Sequence, residues 1–134
     1  MTDNQFQHQK PELATHYSLR VVMAALVVIY GGAAFMKLTG DPDMAARLKE
    51  MNFGDAWRYF IGGTEIIGVV GLFIPQVRRA AMLCLWPYAV AGLALHMSYG
   101  HERIYPGIIA SLLIPLGLWL DGGLVFRRQS EVST

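Results

Sequence analysis

Four long stretches of this chain, 19–38, 57–74, 80–99 and 104–126, carry almost no Asp, Glu, Lys or Arg, and nothing else in the sequence constrains the fold as strongly. An α-helix rises about 1.5 Å per residue, so roughly 20 apolar residues cross the hydrocarbon of a bilayer. Each stretch is near or above the length at which a run reads as a membrane-spanning helix. Together they use up most of the chain and leave no room for a separate soluble domain. The expectation is an all-α integral membrane four-helix bundle, with a polar N-terminal tail over 1–18, a membrane domain over 19–126 and a short tail over 127–134. Composition agrees: 16% of the 134 residues are charged and 54% hydrophobic, against the roughly 25% charged of an ordinary soluble domain.

The same features limit function. A net charge of +1 without any long Lys/Arg run gives no reason to expect nucleic acid as a partner. The lone Cys84 can form neither an internal disulfide nor a paired-thiol redox motif. The first apolar stretch exceeds the roughly 7–15 residues of a signal-peptide core and follows a polar segment, so it reads as a retained span.

Four spans place both termini and the 75–79 loop on one side. That side holds Lys10, Arg20, Arg78, Arg79, Arg127 and Arg128; the other holds Arg47, Lys49, Arg58 and Arg103 among several acids. Basic residues near span ends favour the cytoplasm, so both termini are expected inside a cell (inner) membrane, with Trp57, Tyr99 and Tyr105 at the outer interface. Between the first two spans, Asp41 and Pro42 read as an N-cap followed by proline in the first turn, and Asn52 to Gly54 as a stop. Met44, Leu48 and Met51 recur at helical spacing, which predicts a short amphipathic helix over the outer end. Gly and Ala are dense in the spans, as expected where helices associate by close approach, and Pro87 and Pro115 fall within the third and fourth.

The residues that lipid penalises are the informative ones. Glu65 falls near the middle of the second span, where a charged carboxylate costs on the order of 2.5–3.5 kcal/mol, so it must face the bundle or be protonated. Lys37 ends the first span a heptad after Tyr30, Arg58 precedes Glu65 by a heptad with Gly62 between, and His96 closes the third span on a stripe with Tyr88, Gly92 and Tyr99. Depth alone lets Tyr30, Lys37, Arg58, Glu65, His96 and Tyr99 converge in the outer half. Two readings fit that convergence. One is a structural ion pair of Glu65 with Lys37 or Arg58; the other is a pocket for a small polar head group such as a quinone, with Glu65 exchanging protons and His96 donating a hydrogen bond. No metal centre is expected, since His96 and His101 lack an evident third ligand, and His96 is the only histidine inside a span. Near the inner end, Arg20 and Asp121 share a depth and are expected to form a structural ion pair.

The segments 31–38 (GGAAFMKL), 62–68 (GGTEIIG) and 75–81 (PQVRRAA) together resemble the DoxX-like family of small four-helix membrane proteins, over about residues 19–122. The resemblance implies that Lys37, Glu65 and His96 are pocket residues. Family members are linked to quinone-coupled sulfur oxidation, to membrane oxidoreductase complexes and to receptor assembly. It therefore implies an auxiliary subunit of a membrane redox complex, with a quinone as the cofactor candidate and other membrane subunits as partners alongside the lipid bilayer. A non-catalytic assembly or scaffold protein is the alternative, and a stand-alone quinone-linked oxidoreductase the third. The single Cys84 departs from any member working through paired thiols.

Overall fold

The computed structural model describes the backbone of residues 3–132 and the side chains of residues 13–122. It contains five helices in the order α1 (Asp3–Thr39), α2 (Pro42–Glu50), α3 (Asp55–Leu72), α4 (Arg78–Ser98) and α5 (Tyr105–Val132), and no strand among the described residues. The expected short helix is α2, and the four long helices follow the four charge-poor stretches. At both ends of the chain helix runs into segments read as tails: α1 begins at Asp3 and α5 continues to Val132. Extending an existing helix needs no new nucleus, so flanking Gln, Glu, Leu, Arg and Ala suffice to prolong it.

Three helical segments, Leu13–Thr39, Arg78–Ser98 and Tyr105–Gly122, are long and apolar enough to cross a membrane. α3 is 18 residues long but carries Asp55, Arg58 and Glu65, and is not among them. The four long helices form a ring in which α1 packs on α3 and α5, and α4 on the same two. The ring's diagonal is crossed by Tyr30, whose Oη donates to the Leu85 carbonyl oxygen of α4 at 2.8 Å. Leu26, Leu72, Met82, Leu85 and Ile114 are fully buried, while Val21, Val28, Phe35, Ile67, Leu112 and Trp119 face outward. The described charged groups that are buried, Lys37, Arg58, Glu65 and Asp121, all lie inside this apolar exterior. That is the distribution a lipid solvent selects.

Three corners share one backbone device. At the end of α1, Gly40 takes φ +77° and Asp41 N–H donates to the Met36 carbonyl at 3.0 Å. After α2, Asn52 takes φ +63°, with Asn52 and Phe53 N–H donating to Lys49 and Leu48. After α4, Gly100 takes φ +67°, and Gly100 and His101 N–H donate to Met97 and His96. These are left-handed helix ends of the Schellman type, in which the second residue past the cap folds back over the last turn. Gly40 is constrained twice, because a Cβ there would also meet Arg58 Nη1 at 2.8 Å. The start of α2 is as the sequence predicts: Asp41 caps the helix, accepting from Met44 N–H at 3.0 Å, and Pro42 occupies the first turn. Leu48 and Met51 are buried against the bundle end.

Candidate functional site

The polar interior is built where α1 ends against α3. Gly62 permits the approach, since a Cβ there would lie 3.2 Å from Lys37 Cβ and 3.1 Å from Leu38 Cγ. With the backbones this close, Lys37 Nζ donates to both carboxylate oxygens of Glu65, at 2.9 and 2.8 Å. Glu65 is 5% exposed and Lys37 8%. The pair is neutral as a unit, and two hydrogen bonds at charge-assisted distances offset much of the cost of removing both ions from water. Of the two bases the sequence offered to Glu65, α1 supplies the one that pairs.

The remaining residues expected in the outer half go elsewhere. Arg58, 8% exposed, lays its guanidinium over the Tyr59 ring at 4.6 Å and donates from Nη2 to Tyr59 Oη at 3.0 Å. Its Nε lies 3.4 Å from Asp55 Oδ1, within ion-pair range but without hydrogen-bond geometry. Tyr30 spends its hydroxyl on Leu85 O. His96 Nδ1 lies 2.8 Å from His101 Nδ1, and His101 Nε2 lies 3.1 Å from Glu50 Oε2 of α2. Tyr99 stacks on the His101 ring, with centroids 6.2 Å apart. The six residues are thus divided among separate contacts, and only Lys37 and Glu65 are joined to each other.

At the other end the expected pair of Arg20 and Asp121 does not form. Asp121 Oδ1 lies 3.3 Å from Arg78 Nη1 and Oδ2 lies 3.9 Å from Arg79 Nε, whereas Arg20 is exposed. Depth, read from the sequence, could not choose among the three arginines; helix neighbourhood does. Arg78 opens α4, which packs on α5, and its Nε also donates to the Leu72 carbonyl that closes α3, at 2.9 Å. One guanidinium thereby ties three helices.

Cavities open along α3. A groove of about 630 Å³ runs between α3 and α4, lined by Gly68, Gly71, Ala81, Cys84, Leu85 and Tyr88 among others. Its polar end is a hydroxyl pair, Thr64 Oγ1 donating to Tyr88 Oη at 2.9 Å. A smaller cavity of about 320 Å³ lies between α2 and the start of α3, beside Lys49, Asp55 and Arg58. Lys37, Glu65 and His96 line neither. No three His, Cys, Asp or Glu side chains among the described residues are arranged to hold a metal ion.

The sequence model of the DoxX-like family matches residues 21–120, which takes in α2, α3 and α4 entire, parts of α1 and α5, and the Lys37 and Glu65 pair. The chain belongs to the DoxX-like family. No curated protein and no solved structure matches it. As a member of this family with three long apolar helices, it is a membrane protein in contact with the lipid bilayer.

Two participants escaped the sequence reading. Glu50 is one of the acids of the loop between the first two spans, and His101 enters the sequence analysis only beside His96 as a metal ligand without a third. The signal that could have joined His101 to His96 is Gly100: a glycine just past a helix permits the left-handed turn that sets residues five apart side by side.

Proposed function

We propose that this DoxX-like protein crosses a cell (inner) membrane four times, α3 being the fourth span, and serves as an auxiliary, non-catalytic subunit of a membrane redox complex. Both termini lie in the cytoplasm in this reading. The observation that carries it is the closed Lys37 and Glu65 pair. It removes the charge that otherwise keeps α3 out of lipid, and α3's 18 residues rise about 27 Å, close to the hydrocarbon thickness. It also leaves the mid-membrane acid fully engaged, with both oxygens on one ammonium. A carboxylate so held supports the bundle and is not free to exchange protons with a substrate. The outer-half residues expected to form a quinone pocket face separate partners, which favours support of a neighbouring redox subunit over a quinone site of the chain's own.

Outward faces support an associating role. A Cβ added at Gly31, Gly32, Gly63 or Gly92 meets nothing within 4 Å, so these positions open away from the bundle. Small residues on a lipid-facing helix surface permit the close approach of another span. The same faces serve the second reading, a scaffold for membrane proteins without redox cofactors.

Purification of the tagged chain from its own membranes in mild detergent separates the two. Co-migration with subunits whose optical spectrum shows haem, flavin or iron–sulfur absorption, together with slower quinone-dependent electron transfer in vesicles lacking the chain, is the expected result. Migration without any chromophore, with electron transfer unchanged, would overturn the redox assignment.

A further inference from the structure

The end of α4 holds a group of side chains that the proposed role does not use. The turn after α4 folds His101 back over His96, because Gly100 at φ +67° lets His101 N–H donate to the His96 carbonyl at 2.9 Å. In this type of helix end the two residues so juxtaposed usually make an apolar contact. Here they are imidazoles, with ring centroids 5.0 Å apart and their Nδ1 atoms 2.8 Å apart. The backbone therefore builds the juxtaposition, and the side chains inherit it.

Two ring nitrogens at hydrogen-bond distance need one proton between them: one donates and the other accepts. Glu50 settles much of the remaining ambiguity. Its carboxylate, 3.1 Å from His101 Nε2, can only accept, so Nε2 carries a proton and His101 Nδ1 is the atom whose protonation varies. With both rings neutral, His96 Nδ1–H donates to His101 Nδ1. After one proton is added, the Nδ1–H···Nδ1 bond persists with a charged ring on one side. A second added proton puts an N–H on both facing nitrogens, and the bond cannot survive. From these distances we propose that His96 and His101, oriented by Glu50, form a site that accepts a single proton at the α2 end of the bundle.

Glu50 of α2 is the acceptor in direct contact with the pair, and the cations that act on His96 are Arg47 of α2 and Lys37 of α1. Lys37 is itself held by Glu65 of α3, and Tyr99 at the end of α4 stacks on the His101 ring. Coupled groups of this kind titrate as a pair in separate steps. When the second proton enters, His101 stays with Glu50, and the link that parts is the one between the rings, while the backbone hydrogen bonds of the turn remain.

The full chain contains four histidines, His8, His16, His96 and His101, so ring-nitrogen NMR on the detergent-solubilised protein resolves the question directly. Expected are a scalar coupling between the two Nδ1 atoms, His101 predominantly protonated at Nε2, and two separate protonation steps, with the coupling lost in the second. His101→Gln should reduce His96 to a single step. Glu50→Gln should let His101 populate both tautomers. Gly100→Ala, which touches no titrating group, should weaken the coupling by straining the turn. Four histidines titrating independently, with no coupling at any pH, would overturn the proposal whether or not the redox role stands.

Discussion

Glu65 and Lys37 set the strongest single-residue expectations. Glu65→Gln leaves the Lys37 ammonium buried without its counter-ion, and removing one partner of a buried pair costs roughly 3–5 kcal/mol. Replacing both, Lys37→Met with Glu65→Leu, should recover most of that loss, since an apolar pair of similar volume needs no compensation. Unfolding in mixed detergent measures both; a Glu65→Gln protein as stable as the original would show that the pair holds nothing. At the opposite end of the ring, Asp121 and Arg78 should couple in a double-mutant cycle by about 0.5–3 kcal/mol. Asp121 and Arg20 should not, and a coupling of similar size there would restore the pairing that depth suggested. These outcomes trace what the residues disclosed. Glu65 announced itself because lipid penalises a carboxylate, and Lys37 was one of the two bases, with Arg58, that the sequence offered it. The choice between Lys37 and Arg58 was hidden, because it depends on Tyr59 and Asp55 drawing Arg58 sideways and on Gly62 admitting Lys37. Asp121 was expected to pair with Arg20, and packing sets Arg78 and Arg79 beside it instead.

Helix ends and helix faces differed in legibility. Short-range chemistry writes caps directly into the chain, so Asp41, Pro42 and the Asn52 stop located α2 to within a residue or two. Polarity says that a segment avoids lipid, not that it abandons helix, and α1 and α5 both continue into the polar tails. Glycine density pointed to close packing without naming where. On α3, a Cβ at Gly68 would lie 2.5 Å from Leu85 Cδ2, whereas at Gly92 of α4 nothing lies within 4 Å. Gly68→Ala should therefore destabilise by about 1–3 kcal/mol through overpacking between α3 and α4. Gly92→Ala should be neutral or stabilising in isolated protein, since a helical alanine is favoured over glycine by about 0.5–1 kcal/mol. Melting curves that ranked the two the other way would place the α3 and α4 contact on a different face. If Gly92→Ala instead leaves the isolated bundle intact and disperses the larger assembly, the outward glycines are contact points for neighbouring spans.

At the scale of the molecule, alternation of four long helices puts the start of α1 and the end of α5 at one end of the ring and α2 at the other. The contacts fix this sense: Gly40 at the end of α1 meets Arg58 in the first turn of α3, and Arg78 at the start of α4 meets Asp121 late in α5. Reporter fusions after Thr134 and within the α2 segment should accordingly report opposite compartments, with the C-terminal one cytoplasmic. Both reporters in the same compartment would mean that α3 does not cross.

α1 is 37 residues long and so extends about 55 Å, against roughly 30 Å of hydrocarbon. The charge-poor stretches of the two helices begin at residue 19 and end at residue 126, so α1 starts well before the one and α5 runs past the other to Val132. At the same end of the molecule α1 thus extends beyond its charge-poor stretch by about 24 Å and α5 by about 9 Å. Such a post holds whatever it meets at a set height and compass bearing above the membrane. Inserting seven residues would raise that point by about 10 Å with nearly the same bearing, while inserting two would swing it to almost the opposite side.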